Sequence, residues 1–406
     1  LYTSSETQPR YIKMDSFRKV HQPECDFEDH VARDKSNMYE ILRKGKSNLI
    51  DLINRQIFTK NGEEVGYLYR QVYNGREQCG LLFCIQDQDY VNGKVLPHEQ
   101  TFEDKVLRLS EGADTLGIYN SFPLAFCDSD NFIDNAIEHM KTTKPLYFLK
   151  QNGVDHYLYA FDVKTSQQIV DAFKSFDHVY IADGHHRFEC YSKLVAKLHN
   201  AKDRQLHDDY DHYPVLIYPK NHLKAYSYYR LVKNLDNINV DEVLKESSRY
   251  FKVQSINIPY KYQSDAYNKE LLKLVKPYKK GRFLVYFKAR RSWYKFDVLP
   301  YKPNNPIEGL DISYLSTNFL TKVLHIADLK SSDCVDYMPE NKLDIASLEK
   351  QCNSDESTSI IVVCPRTSLD EVQSVADAKT CMPPKSTFVF PKPLIGLLFK
   401  DFESLE

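Results

Sequence analysis

The stretch VYIADGHHRFECYSKL, Val179 to Leu194, decides how this chain is read. Val179 and Ile181 alternate as they would in a short strand, Gly184 marks a turn, and Phe188, Tyr191, Leu194, Val195 and Leu198 recur at helical spacing. The expectation is a strand, a tight turn and a helix. That unit brings an acid (Asp183), two imidazoles (His185, His186) and a guanidinium (Arg187) to the mouth of the turn. A helix start has unpaired N–H groups and partial positive charge, so a phosphate is stabilised there. Gly184 permits close approach of the backbone, Arg187 can grip two oxygens with its planar fork, and the histidines can donate hydrogen bonds or move protons. Asp183 repels a bare phosphate; it makes sense beside one as a ligand of Mg²⁺ or as an orienter of a hydroxyl substrate. Spacing alone leaves open a plain helix cap with surface histidines. A zinc pair is not expected, because adjacent helical residues point about 100° apart and no H-E-x-x-H pattern is near.

Outward from this unit, YLYRQV and GLLFCIQD read as strands joined by the turn Tyr73-Asn74-Gly75-Arg76. The tract LPHEQTFEDK follows, with Thr101 as the expected N-cap of a helix, Asp104 three residues on, and Phe102, Val106 and Leu109 on one face. Glu99 at that junction is placed to take a proton from a substrate hydroxyl, and decoration of a helix start by His98 and Glu99 is the alternative. Near the C-terminus, MPPKSTFVFPKP offers Lys385, Ser386 and Thr387 as an anion-binding group, or else a protected edge strand.

Past residue 235 helices and strands mix again: a helix from Asn239 to Phe251, another near Asp265 to Val275, strands RFLVYFKA, WYKFDVLP and SIIVVCP, and a capping box at Ser368 and Glu371. The expected class is α+β in two domains, residues 1–235 and 236–406, with a mixed-sheet catalytic core in the first and an α/β fold in the second.

The 406 residues suffice for two or three cores, and a formal charge of -2 lacks the basic excess of a nucleic-acid partner. No apolar run reaches membrane-spanning length, so a soluble, cytoplasmic protein is expected; the sequence opens on Leu1, which is compatible with a trimmed targeting segment. Nine scattered cysteines without a C-x-x-C pair fit reduced thiols. Only 13 glycines occur, and Gly75 and Gly80, at Walker-like spacing, are followed by Leu81 and Leu82 where Lys and Ser/Thr are required. No P-loop is encoded.

With these residues in view, the chain resembles almost end to end a family long described as a domain of unknown function and linked to free-serine kinases. The resemblance is carried by YLYRQ, GLLFCIQDQDYVNGKVLPHEQTFEDKVLRL, YIADGHHRF, YYRLV, LDISYL and MPPKSTFVFPKPLIGLLF. The DGHHR and HE segments also look like those of the ParB/sulfiredoxin-type fold. The resemblance implies phosphorylation of free L-serine to O-phospho-L-serine, a step toward cysteine synthesis, with Glu99 as general base. It implies that Asp183, His185, His186 and Arg187 hold the donor and Mg²⁺. Long members of this kind resemble the pyrophosphate-dependent type, ADP and ATP being the other donors. A cation for the serine carboxylate is sought among Arg108, Arg230 and Lys385, with His98 and Thr101 as further substrate contacts. Two rivals are a ParB-like nucleotide-binding regulator and a sulfiredoxin-like enzyme using Cys190.

Overall fold

A computed structural model of the chain describes residues 2–4, 35–60, 64–235, 238–262, 264–275, 279–326, 333–342 and 344–405; Cys25 lies outside them. The described residues form two compact units. One runs through Lys224 and takes in the chain again from Pro391; the other is Ala225–Phe390.

The first unit is built on an eight-stranded mixed sheet in the order Val95–Leu96, Val179–Asp183, Leu124–Cys127, His212–Pro219, Arg76–Gln86, Tyr67–Tyr73, Val154–Ala160, Tyr147–Gln151. Val179–Asp183 runs parallel to Val95–Leu96 and antiparallel to Leu124–Cys127, which in turn is parallel to His212–Pro219. The expected hairpin is present, with Tyr73 paired to Arg76. Asn74 at φ 50° and Gly75 at φ 71° give a turn whose twist suits the flanking strands.

One face of this sheet carries Leu68, Leu81, Phe83, Ala125, Ile181, Val215 and Ile217 into two apolar clusters. The helices Glu103–Leu116 and His185–Leu198 supply Val106, Ala113, Phe188, Tyr191 and Leu194 to one cluster, while Asn131–Lys141 and Val163–Phe173 supply Ile133, Ile137 and Ile169 to the other. Alternation along each strand assigns these residues to one side of the pleat. The five residues expected to share the face of the DGHHR helix are all buried.

The C-terminal tail belongs to this unit. Leu398–Asp401 pairs antiparallel with Tyr2–Ser4 and with Ile118–Tyr119, and Tyr2–Ser4 pairs with Phe58–Lys60. The sequence reading put its break near 235 and gave everything beyond to a second domain. The compact units instead break at Lys224 and return at Pro391, because the tail contributes a strand to the first unit.

The second unit holds a six-stranded antiparallel sheet in the order Phe251–Ile256, Ser292–Val298, Arg282–Phe287, Thr358–Val363, Tyr228–Lys233, Val335–Pro339. Phe283, Val285, Phe287, Ile360 and Val362 enter a core with the helix Val240–Ser247 and the segment around Leu315 and Phe319. Leu284, Tyr286, Ile361 and Val363 enter another with Asp265–Val275 and Ile345–Ser354. Burial on both faces is why RFLVYF and SIIVV read as unbroken apolar runs. The helix expected from Asn239 to Phe251 ends at Ser247, and Phe251 opens a strand instead. The capping box at Ser368 and Glu371 is formed.

Candidate active site

Asp183 ends its strand, Gly184 takes φ 86° and ψ 34°, and the helix begins at His185. A left-handed conformation at this point strongly favours glycine. A Cβ there would meet the Cα of Pro123 at 3.3 Å.

Both histidines of the turn accept hydrogen bonds from the HE segment. His98 donates its backbone N–H to His185 Nε2 at 3.2 Å, and Phe102 donates its own to His186 Nε2 at 3.1 Å. The Phe102 and His186 rings stack at 5.7 Å. Glu99, between the two tethered residues, has Oε2 3.7 Å from His185 Nδ1. Burial, reinforced by the neighbouring imidazoles His98 and His186, holds His185 well below the usual histidine range. It is neutral at physiological pH, which suits a ring accepting at Nε2.

Glu99, Asp183, Gly184, His185, His186 and Arg187 line one pocket of about 380 Å³. Phe122, Leu124, Leu109, Lys105 and the tail residues Lys392, Pro393, Leu394 and Ile395 complete its wall. Arg187 Nη1 donates to the Phe122 carbonyl at 3.4 Å, and burial disfavours its charge, which an arginine nonetheless keeps. Lys392 Nζ pairs with Asp183 Oδ2. The surrounding protein pushes this lysine down to about 8 against the opposing pull of Glu99, while its side chain keeps 48% of its surface open.

Other expected site residues lie elsewhere. His98 is 1% exposed, packs edge-on against His185 at 4.4 Å and does not line the pocket. Burial pushes it down to about 4. Thr101 neither lines the pocket nor caps the helix: Glu103 starts the helix, Phe102 is its N-cap without a side-chain bond, and Phe102's own N–H goes to His186. Phe102 and Leu109 are exposed, and the buried face is Val106, Ala113 and Leu116. Arg108 is exposed with Nε on the Asp104 carbonyl, whereas Lys105 on the same helix lines the pocket.

Arg230, Lys385, Ser386 and Thr387 belong to the second unit. Arg230 is buried, and its guanidinium donates to the carbonyls of Tyr228 and Lys385 and lies over the Tyr337 ring. Ser386 is buried with its hydroxyl on the Pro383 carbonyl; Lys385 is exposed and Thr387 half-buried. The fold of that unit accounts for Arg230 and Ser386, whose polar atoms are spent on backbone carbonyls.

Sequence reasoning missed Lys392 and Lys105. The signal for Lys392 is a second cation in the tract KSTFVFPKP, seven residues after Lys385.

The pocket thus lies at a strand-to-helix turn with two carboxylates, an arginine and two lysines in its wall. The chain matches the family described as "Protein of unknown function (DUF1015)" over residues 2–313, and it belongs to that family. No curated protein matches it. Among solved structures it is similar to a free serine kinase in complex with AMP, at 13% identity and TM-score 0.35, covering 79% of this chain and 91% of that one. A conserved hypothetical protein from Pyrococcus furiosus is similar at 15% identity and TM-score 0.35, covering 79% and 95%. SbnI with C-terminal truncation from Staphylococcus aureus is similar at 9% identity and TM-score 0.32, covering 77% and 85%.

Proposed function

We propose that this protein transfers a phosphoryl group from inorganic pyrophosphate to the hydroxyl of free L-serine, giving O-phospho-L-serine and orthophosphate. The observation that carries the reading is that Glu99 faces the same pocket as the Asp183–Arg187 turn, tethered there through both histidines of that turn. A base for a hydroxyl and a cradle for a phosphate thus share one cavity, of a volume suited to small ligands.

In the proposed step the serine Oγ attacks the near phosphorus, the Oγ–P bond forms as the bridging P–O bond breaks, Glu99 receives the hydroxyl proton, and orthophosphate leaves with the bridging oxygen. His185 is neutral, and its Nδ1, 3.7 Å from Glu99 Oε2, is the neighbouring donor toward which the carboxylate can turn. Arg187 and the N–H groups at the helix start hold donor oxygens. Mg²⁺ is commonly held by one or two carboxylates plus substrate phosphates, and no group of three or more His, Cys, Asp or Glu among the described residues forms a protein cage. Asp183, on the pocket wall, fits as its protein ligand; the ion would neutralise donor charge. The reading retains a ParB/sulfiredoxin-like core, a cytoplasmic location and a place for the product in cysteine synthesis.

Cys190 does not favour a thiol enzyme, because burial pushes it up to about 12 and leaves it 1% exposed.

The test incubates the protein with L-serine, Mg²⁺ and, separately, pyrophosphate, ADP and ATP, with phosphoserine as the readout. Phosphoserine is expected with pyrophosphate, and Glu99→Gln lowers the rate by at least about 100-fold while the circular dichroism spectrum is unchanged. Turnover only with ADP or ATP overturns the donor assignment, and full turnover by Glu99→Gln overturns the base. Salt-sensitive DNA binding without phosphoserine favours the regulator reading.

A further inference from the structure

Gln71 and Gln78 are 0% and 5% exposed on the sheet of the first unit, directly opposite each other in the hairpin register. A primary amide is costly to bury unless its polar atoms find partners. Gln78 Nε2 donates to Gln71 Oε1 at 2.9 Å and to the Pro391 carbonyl at 3.0 Å. Gln71 Nε2 donates to the Lys392 carbonyl at 3.0 Å. Two residues along the same strand face, the Tyr69 hydroxyl accepts from the Leu394 N–H at 3.1 Å and reaches His156 Nδ1 at 2.8 Å. Burial pushes His156 down to about 4, so its ring is neutral and shares a hydrogen bond with the Tyr69 hydroxyl.

Three buried polar side chains, Tyr69, Gln71 and Gln78, therefore grip the backbone of Pro391, Lys392 and Leu394, and His156 supports Tyr69 from behind. Lys392 to Leu394 has no regular secondary structure of its own. Pro393, Leu394, Leu397 and Leu398 border a small apolar cavity with Tyr69, Leu82, Leu158 and Leu216. The segment is a strap, fastened by hydrogen bonds and apolar packing, and the one side chain it points at the polar wall of the pocket is Lys392.

We infer that Lys392 is the cation that binds the phosphoryl group as it passes from donor to acceptor, and that Tyr69, Gln71, Gln78 and His156 are positioning residues that hold the strap for it. The inference rests on the reading above, in which Asp183 stands on the donor side and Glu99 on the acceptor side. Lys392 pairs with Asp183 and lines the same pocket as Glu99. A cation in that place meets the equatorial oxygens of a group moving between them, where preorganised positive charge accelerates transfer most. Asp183 is its counter-charge, and an arriving phosphate takes over that role.

The test has two arms. Calorimetric titration with pyrophosphate and Mg²⁺, without serine, is expected to show binding at least about 10-fold weaker for Lys392→Met and a smaller loss for Lys392→Arg. Unchanged binding by Lys392→Met overturns the anion role, whether or not phosphoserine is ever made. In turnover, Lys392→Met is expected to lower kcat at least about 100-fold with the KM for serine within about 3-fold, and Lys392→Arg to restore part of it. A wild-type protein that binds pyrophosphate through Lys392 yet makes no phosphoserine defeats the serine-kinase reading and leaves the anion site standing. Tyr69→Phe removes one hydroxyl with little change in core volume; it is expected to weaken pyrophosphate binding several-fold while the circular dichroism spectrum and a cooperative thermal transition are retained, and wild-type affinity in that variant overturns the positioning role.

Discussion

A neutral imidazole that accepts at Nε2 carries its proton on Nδ1, and this tautomer suits His185, with Nδ1 toward Glu99 and Nε2 on the His98 backbone. Three buried histidines, His98, His156 and His185, are held below the ordinary histidine range by loss of water. The unfolded chain binds protons at these sites near pH 6.5, while the folded chain resists until about 4 at His98 and His156. Stability is therefore fully present above pH 6.5 and declines as pH falls toward 4, by up to about 1.4 kcal/mol per pH unit for each group. Urea unfolding between about pH 7 and pH 5, before the carboxylates add their own titration, should give a steadily falling midpoint. A flat midpoint across that range would contradict neutral burial. The residue types of the site were legible in the sequence, but the histidines' partners were not: hydrogen bonds to residues 98 and 102 depend on a long-range fold that local spacing does not encode.

Among elements, the strand, turn and helix around Asp183 was fully legible, because Gly184 punctuates a change from period 2 to period 3.6. Its geometry sets a cost for substitution. Gly184→Ala places a side chain at φ 86° with its Cβ 3.3 Å from Pro123, and should destabilise the protein by about 1–3 kcal/mol. Guanidinium chloride unfolding checks the loss, and a stability equal to wild type would mean that the turn relaxes freely. The neighbouring helix was read less well. Thr101 has the right chemistry for a cap, yet the helix starts two residues later and its N-cap N–H is taken by His186. The end of the helix Val240–Ser247 was missed because Phe251 continues the apolar spacing while pairing as a strand with Val298.

At the scale of the whole molecule, the order of residues along the chain differs from the order of assembly. Ala225–Phe390 is a unit with cores on both faces of its own sheet, inserted into a unit that resumes at Pro391. Expressed alone, this segment should fold and melt cooperatively. A featureless near-ultraviolet spectrum with no thermal transition would show that it needs the rest of the chain. The sequence could not reveal the insertion, because β-pairing of Leu398–Asp401 with Tyr2–Ser4 joins segments nearly a chain length apart. Nothing in the local composition near Pro391 announces that return.

That return has a consequence during synthesis. A ribosome has made Glu99, the Asp183–Arg187 turn and the entire inserted unit before it reaches Lys392. A chain interrupted by a premature stop or cut by a protease ahead of this point keeps the recognisable motifs and lacks the lysine, the strap and the strand Leu398–Asp401. The pocket wall is finished only after translation has passed Lys392, so a polypeptide that stops short of it lacks the strap on which the proposed chemistry depends.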